Sequence, residues 1–124
     1  MIKQAIIPLA GLGTRLLPLT SVFAKELLPI NGKPGLEYII NECIDAGIKE
    51  IIFIISKRKM MIKKYFYNDK FYKDLIKKKK DPRILAEYKK ILRYRKMIKF
   101  VYQNKPKGTG DAVLKTKKYI KDKY

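Results

Sequence analysis

Histidine is absent from the 124 residues, and cysteine occurs once, at Cys43. Without an imidazole or a second thiol, the usual zinc sites and histidine-based catalytic triads are excluded. A lone cysteine cannot close an internal disulfide, which fits a reducing cytoplasm. Acidic side chains are scarce: 11 Asp and Glu stand against 30 Lys and Arg, a net charge of +19. Long apolar runs are missing too, and none approaches the roughly 18 residues of a membrane span. The opening Met1-Ile2-Lys3-Gln4 lacks the apolar region and cleavage site of a signal peptide. No membrane partner is expected.

What is present is enough apolar material, 47% of residues, for one packed domain. The charge is unevenly spread. Residues 1–56 carry five basic and five acidic side chains, so the whole excess falls in 57–124. There the lysines and arginines ride with Ile, Tyr, Phe and Asn, and the bland reading is a solvated basic surface. A nucleic-acid partner is the lesser alternative, since no nucleic-acid motif accompanies the charge.

The order of segments predicts an α/β fold. Residues 4–9, "QAIIPL", read as a short buried strand. A helix is predicted from Pro34, with Leu36, Ile39, Ile40, Cys43 and Ile44 at helical spacing and Gly47 as its cap. "EIIFIIS", residues 50–56, is apolar and β-branched throughout, as a strand covered on both faces should be. Strand, loop, helix and strand in that order make the βαβ unit of a parallel sheet. Residues 57–97 read as polar helices, with the lysine run 77–80 at a helix end. Residues 97–103 return to strand composition. Residues 110–121 read as a helix with Ala112, Val113, Thr116 and Ile120 on one side. Three strands leave a sheet edge and part of an apolar face uncovered. The expectation is therefore either pairing with another chain, including self-association, or a shortened gene product.

The loop after the first strand carries the chemistry. In "PLAGLGTRLLPLTSVFAKELLPI", residues 8–30, Gly11 and Gly13 let backbone N–H groups approach an anion closely. Arg15 adds a planar two-pronged donor, and Lys25 a compact cation. Such a loop lies at the carboxyl edge of a parallel sheet, where open α/β folds bind ligands. Polyphosphate suits it better than a single carboxylate. Neither the dinucleotide G-x-G-x-x-G pattern nor the G-x-x-x-x-G-K-[ST] pattern is met. From the residues alone, Glu26 reads as an exposed ion pair with Lys25, and Gln103 as a capping or turn residue.

Three strings in order, "AGLGTRLLPLT", "AKELLPINGKP" and "QNKPKGTGDAV", resemble the sugar nucleotidyltransferases. Within that group the resemblance is to the bacterial UTP–glucose-1-phosphate uridylyltransferases, and it covers only the first two-fifths or so of their usual length. It implies a Rossmann-like, open, mostly parallel sheet with helices on both faces. Residues 1–124 would be the N-terminal nucleotide-binding part of the domain, with 57–97 a helical insertion. It also implies UTP and glucose 1-phosphate as substrates, Mg²⁺ as cofactor, and UDP-glucose and pyrophosphate as products. Residue by residue, Ala10 and Gly11 would meet the uridine moiety. Gly13, Thr14 and Arg15 would surround the triphosphate, and Lys25 would sit near the reacting phosphates. Glu26 would line the nucleotide pocket, Gln103 would read the uracil edge, and Gly108 would let the backbone close on the base. The family's metal-binding aspartates have no counterpart here, so no metal ligand is assigned, and little activity is expected of these residues alone. A nucleotide-binding module without catalysis is the other reading. The sequence departs from the pattern at Ser21 (lysine is common there), Ala24 (proline), Gly32 (aspartate), Tyr102 (arginine), Thr109 (leucine) and Asp111 (histidine). A carboxylate at 111 is expected to repel a triphosphate.

Overall fold

The computed structural model describes residues 2–103 and 109–120. In chain order these form β1 (Gln4–Pro8), β2 (Pro29–Ile30), β3 (Lys33–Pro34), α1 (Gly35–Asp45) and β4 (Glu50–Ile55). Then come α2 (Met60–Tyr67), α3 (Asp69–Lys79), α4 (Pro82–Met97), β5 (Ile98–Tyr102) and α5 (Thr109–Leu114). Short 3₁₀ turns fill much of the interval between β1 and β2.

β4 is the centre of the molecule. It pairs in parallel with β1 on one side and β5 on the other. Every residue from Ile51 to Ile55 is fully buried, which explains why the strand is apolar without alternation. Alternation still decides which layer each side chain meets. Ile51, Phe53 and Ile55 join Leu36 and Ile40 of α1, Ile62 and Phe66 of α2, and Ile91 and Tyr94 of α4 in one core. On the opposite face lie Ile52 and Ile54, and there α5 packs against β1. Gln4, which shares that face, ties it to the turn after α5 by donating to the Tyr119 carbonyl at 2.7 Å. Helices therefore cover both faces, as the expected fold class requires.

Local chemistry explains where the helices stop and start. After α1, Gly47 N–H donates to Ile44 O and Ile48 N–H to Cys43 O, at 3.0 and 2.9 Å. This paired closure needs a left-handed residue, and Gly47 has φ +83°. α3 ends on Lys80, also left-handed, with the lysine run exposed at its end. α4 begins on Asp81, whose carboxylate accepts from Arg83 N–H at 2.9 Å, with Pro82 in the first helical position.

Two expectations need correction. The sequence predicts a last helix over 110–121, but α5 ends at Leu114 and a separate 3₁₀ turn spans Lys117–Tyr119. There the buried Thr116 donates to Val113 O from both its hydroxyl, at 2.6 Å, and its N–H, at 3.0 Å, in place of continued helical pairing. Ala112 and Thr116 face inward, whereas Val113 and Ile120 stay exposed. The second correction concerns β2 and β3, a small hairpin absent from the strand reading. Its turn is Asn31-Gly32, both at positive φ, which is the pair that a two-residue hairpin turn favours.

Candidate functional site

Three chain segments leave the sheet at one edge. Leu9 N–H donates to Ile54 O at 2.7 Å and Gln103 N–H to Ile55 O at 2.8 Å, extending the ladder one residue beyond β1 and β5. Ala10, Ser56 and Gln103 therefore emerge together at the carboxyl ends of β1, β4 and β5. A parallel sheet offers its ligand crevice at that edge.

A cleft there is lined by Ala10 and Gly11 from the loop, Ala24 from the following turn, and Ser56, Arg58 and Lys59 after β4. Ala10 and Ala24 are buried and Gly11 is exposed. The loop's shape turns on Gly13, which takes the left-handed conformation at φ +67° and ψ +37°. A Cβ added there would meet the Thr20 methyl at 3.0 Å and the Lys25 Cδ at 3.5 Å. Thr20 also donates from its hydroxyl to Gly13 O at 2.7 Å. Glycine is thus required twice, for the dihedral and for the close approach. Thr20 was not singled out by sequence reasoning, and only its packing on Gly13 reveals it.

Thr14, Arg15 and Leu16 form a 3₁₀ turn directly after Gly13, with Thr14 and Arg15 exposed. Lys25 opens another such turn, Lys25–Leu27, and is exposed too. Neither Arg15 nor Lys25 has an ion-pair partner among the described residues. The Lys25 stem lies against Gly13, two residues before Arg15, and both charges stay available, which is what an anion site needs.

Glu26 departs from its reading as an exposed partner of Lys25. It is buried and accepts from Lys59 Nζ at 2.6 Å, with each side chain only 6% exposed. The competing pull of burial and pairing favoured the more distant lysine, which lies on the inner side. Lys59 went unnoticed in the sequence because it sits within a lysine- and arginine-rich string. Gln103 is likewise buried rather than a surface cap, and its Nε2 donates to Asp111 Oδ2 at 2.9 Å. Asp111 is thus engaged at this edge by an amide. Tyr102 accepts from Lys63 Nζ at 2.9 Å on the other face. Gly108 lies outside the described residues. No group of three or more metal-ligating side chains gathers among the described residues. No described helix is long and apolar enough to cross a membrane.

Comparison with known proteins gives a consistent result. The family model described as "Nucleotidyl transferase" matches residues 4–124. The UTP–glucose-1-phosphate uridylyltransferase of Bacillus subtilis is 41% identical over 122 residues, covering 98% of this chain and 41% of that protein. The enzyme of the same name from Escherichia coli K12 is 40% identical over 113 residues, covering 91% of this chain and 37% of that protein. Among solved structures, the UDP-glucose pyrophosphorylase of Acinetobacter baumannii superposes with a TM-score of 0.86 at 38% identity. A UTP-bound form from the same organism gives 0.85 at 38% identity. These cover 98% and 96% of this chain, and 42% of each matched chain. The chain thus spans about two-fifths of the length of the relatives it matches.

Proposed function

This chain belongs to the nucleotidyl transferase family, and we propose that it forms the nucleotide-binding part of a UTP–glucose-1-phosphate uridylyltransferase. One observation carries the reading: a glycine loop at the carboxyl edge of a parallel sheet, locked at Gly13 and flanked by two exposed cations, Arg15 and Lys25. The similarity to a UTP-bound pyrophosphorylase supports the choice of nucleotide.

In this reading a phosphate oxygen of glucose 1-phosphate attacks the α-phosphorus of UTP. The bond from that phosphorus to the oxygen bridging to the β-phosphate breaks, UDP-glucose forms, and pyrophosphate leaves. No side chain acts as nucleophile, so catalysis consists of positioning and of neutralising charge on phosphate oxygens. Ala10 and Gly11 offer backbone to the uridine. Gly13, Thr14 and Arg15 surround the triphosphate, Lys25 neutralises charge at the reacting phosphates, and Gln103 and Gly108 read and enclose the uracil. Mg²⁺ is the metal that the family implies. No cluster of three or more acidic, cysteine or histidine side chains among the described residues would hold it. The sugar phosphate and the rest of the charge neutralisation need parts outside these residues, supplied by further sequence or by another subunit. The 124 residues alone are expected to bind UTP and to release little pyrophosphate, and the cytoplasm is the compartment proposed for them. A purely binding role shares the first expectation, and a pyrophosphate assay with UTP, Mg²⁺ and glucose 1-phosphate separates the two once the remaining parts are supplied.

The direct test is a titration of the folded chain with UTP, followed by amide NMR. Signals of Gly11, Gly13 and Gln103 should move, and Arg15→Ala should weaken binding about tenfold, the loss of one charge-assisted contact. Unmoved signals in a folded sample would end the proposal.

A further inference from the structure

Two opposite charges lie buried beside the cleft, although 33 residues separate them in sequence. A buried ion pair adds little net stability, because desolvating both charges offsets their attraction, whereas removing one partner leaves the other uncompensated. The geometry that Glu26 and Lys59 impose is therefore more informative than their energy. Glu26 is the middle residue of the turn Lys25–Leu27. Adjacent side chains in a 3₁₀ turn leave the axis about a third of a turn apart. With Glu26 drawn inward, Lys25 must leave on another side, where its stem lies against Gly13. The turn is closed by Leu27 N–H to Ala24 O and Leu28 N–H to Lys25 O, at 3.0 and 3.1 Å. The other end of the pair is fixed as well: Lys59 N–H donates to Ser56 O at 2.9 Å, one residue beyond β4.

We infer that the Glu26–Lys59 pair is a positioning strut, which sets the direction of Lys25 from its turn and so holds that cation beside the Gly13 loop. This rests on the UTP reading above. Glu26 acts on the nucleotide through Lys25 rather than by touching it, and Lys59 becomes part of the binding machinery without meeting a phosphate.

The test compares UTP with uridine, which has no phosphates, by NMR titration of the 124-residue chain. Glu26→Gln should weaken UTP about tenfold, within the coupling range of contacting residues, and change uridine by less than about twofold. In a Lys25→Ala background the same substitution should add nothing. Because Glu26→Gln leaves Lys59 buried without a counter-charge, the pair Glu26→Gln/Lys59→Gln is measured too. A neutral amide pair can keep the hydrogen bond, and it should fold and recover most of the lost UTP affinity. Equal losses for UTP and uridine, a Glu26→Gln effect undiminished without Lys25, or a folded double variant as weak as the single one would each overturn the strut. A wild-type chain that binds no UTP overturns the nucleotide reading and the strut together, so the two failures are distinguishable.

Discussion

Between Ala10 and Leu28 the chain runs through three short turns, leaves Leu12, Leu16, Leu17, Leu19, Val22 and Phe23 exposed, and keeps Arg15 and Lys25 clear of acidic partners among the described residues. In the helical layer of α2 to α4 the key cations are engaged. Lys90 bridges Glu37 and Glu87 at 2.9 and 2.8 Å. Arg95 donates to Asp69 at 2.9 Å and to Phe66 O at 3.1 Å, and lies 4.7 Å above the Tyr67 ring. Burial tends to drive the proton off Lys90, but hydrogen bonds to Glu87 and Glu37 outweigh it and hold the ammonium above the ordinary lysine range. The difference teaches how one basic chain can carry two kinds of cation. Lys90 and Arg95 are consumed in tying α4 to α1, α2 and α3. Those at the loop are left available, and the loop is held instead by Gly13 against Thr20 and by the buried anchors Leu9 and Ala24.

The contrast can be broken most violently at the sheet they share. Phe53→Ala removes a fully buried ring that packs on Phe66 and Phe100. It should cost about 3–5 kcal/mol, read as a lower urea midpoint by circular dichroism. A loss below about 1 kcal/mol would mean that the helical layer does not depend on β4. Gly13→Ala attacks only the loop. Its left-handed backbone should cost about 1–2 kcal/mol, with UTP binding falling further because Thr20 and Lys25 must shift. Unchanged UTP affinity in that variant would show that the loop's shape is irrelevant to binding.

The smallest effect belongs to acid and to the helices. Partial burial opposes ionisation of Asp69, but hydrogen bonds from Arg95 and Tyr88 outweigh it and hold the carboxyl below its usual range. Its contribution is therefore present above the unfolded value, about 3.9, and is lost as pH falls through the lower folded value. The thermal midpoint should drop on acidification below about pH 4, and an Asp69→Asn variant should drop less steeply. Identical pH profiles for the two would remove Asp69 from the account of the layer.

Much of the frame was legible beforehand. A five-residue apolar stretch in β4 has few fates other than a buried strand, and Gly47 marks the end of α1 because its left-handed φ suits no other common residue so well. The misses share a cause. The Asn31-Gly32 hairpin was overlooked because its strands are only two residues each, too short for periodicity to register. Beyond the end of α5 both the Thr116 hydroxyl and its N–H donate to Val113 O, a local choice of partner that has no signature in spacing. Glu26 was assigned to its sequence neighbour because nothing in a linear reading shows which of several nearby lysines lies on the inner side.

Three motif strings carried the resemblance to the family. The chain's order of apolar runs, glycines and caps determined a parallel sheet and a glycine loop at its carboxyl edge. Those features are local, set by backbone sterics and by the period of apolar residues. Which cations remain available and which are spent was decided only by the tertiary structure. Pairing depends on distance and burial between segments tens of residues apart, and Lys59 became the partner of Glu26 only when the chain after β4 closed over the turn that holds Lys25.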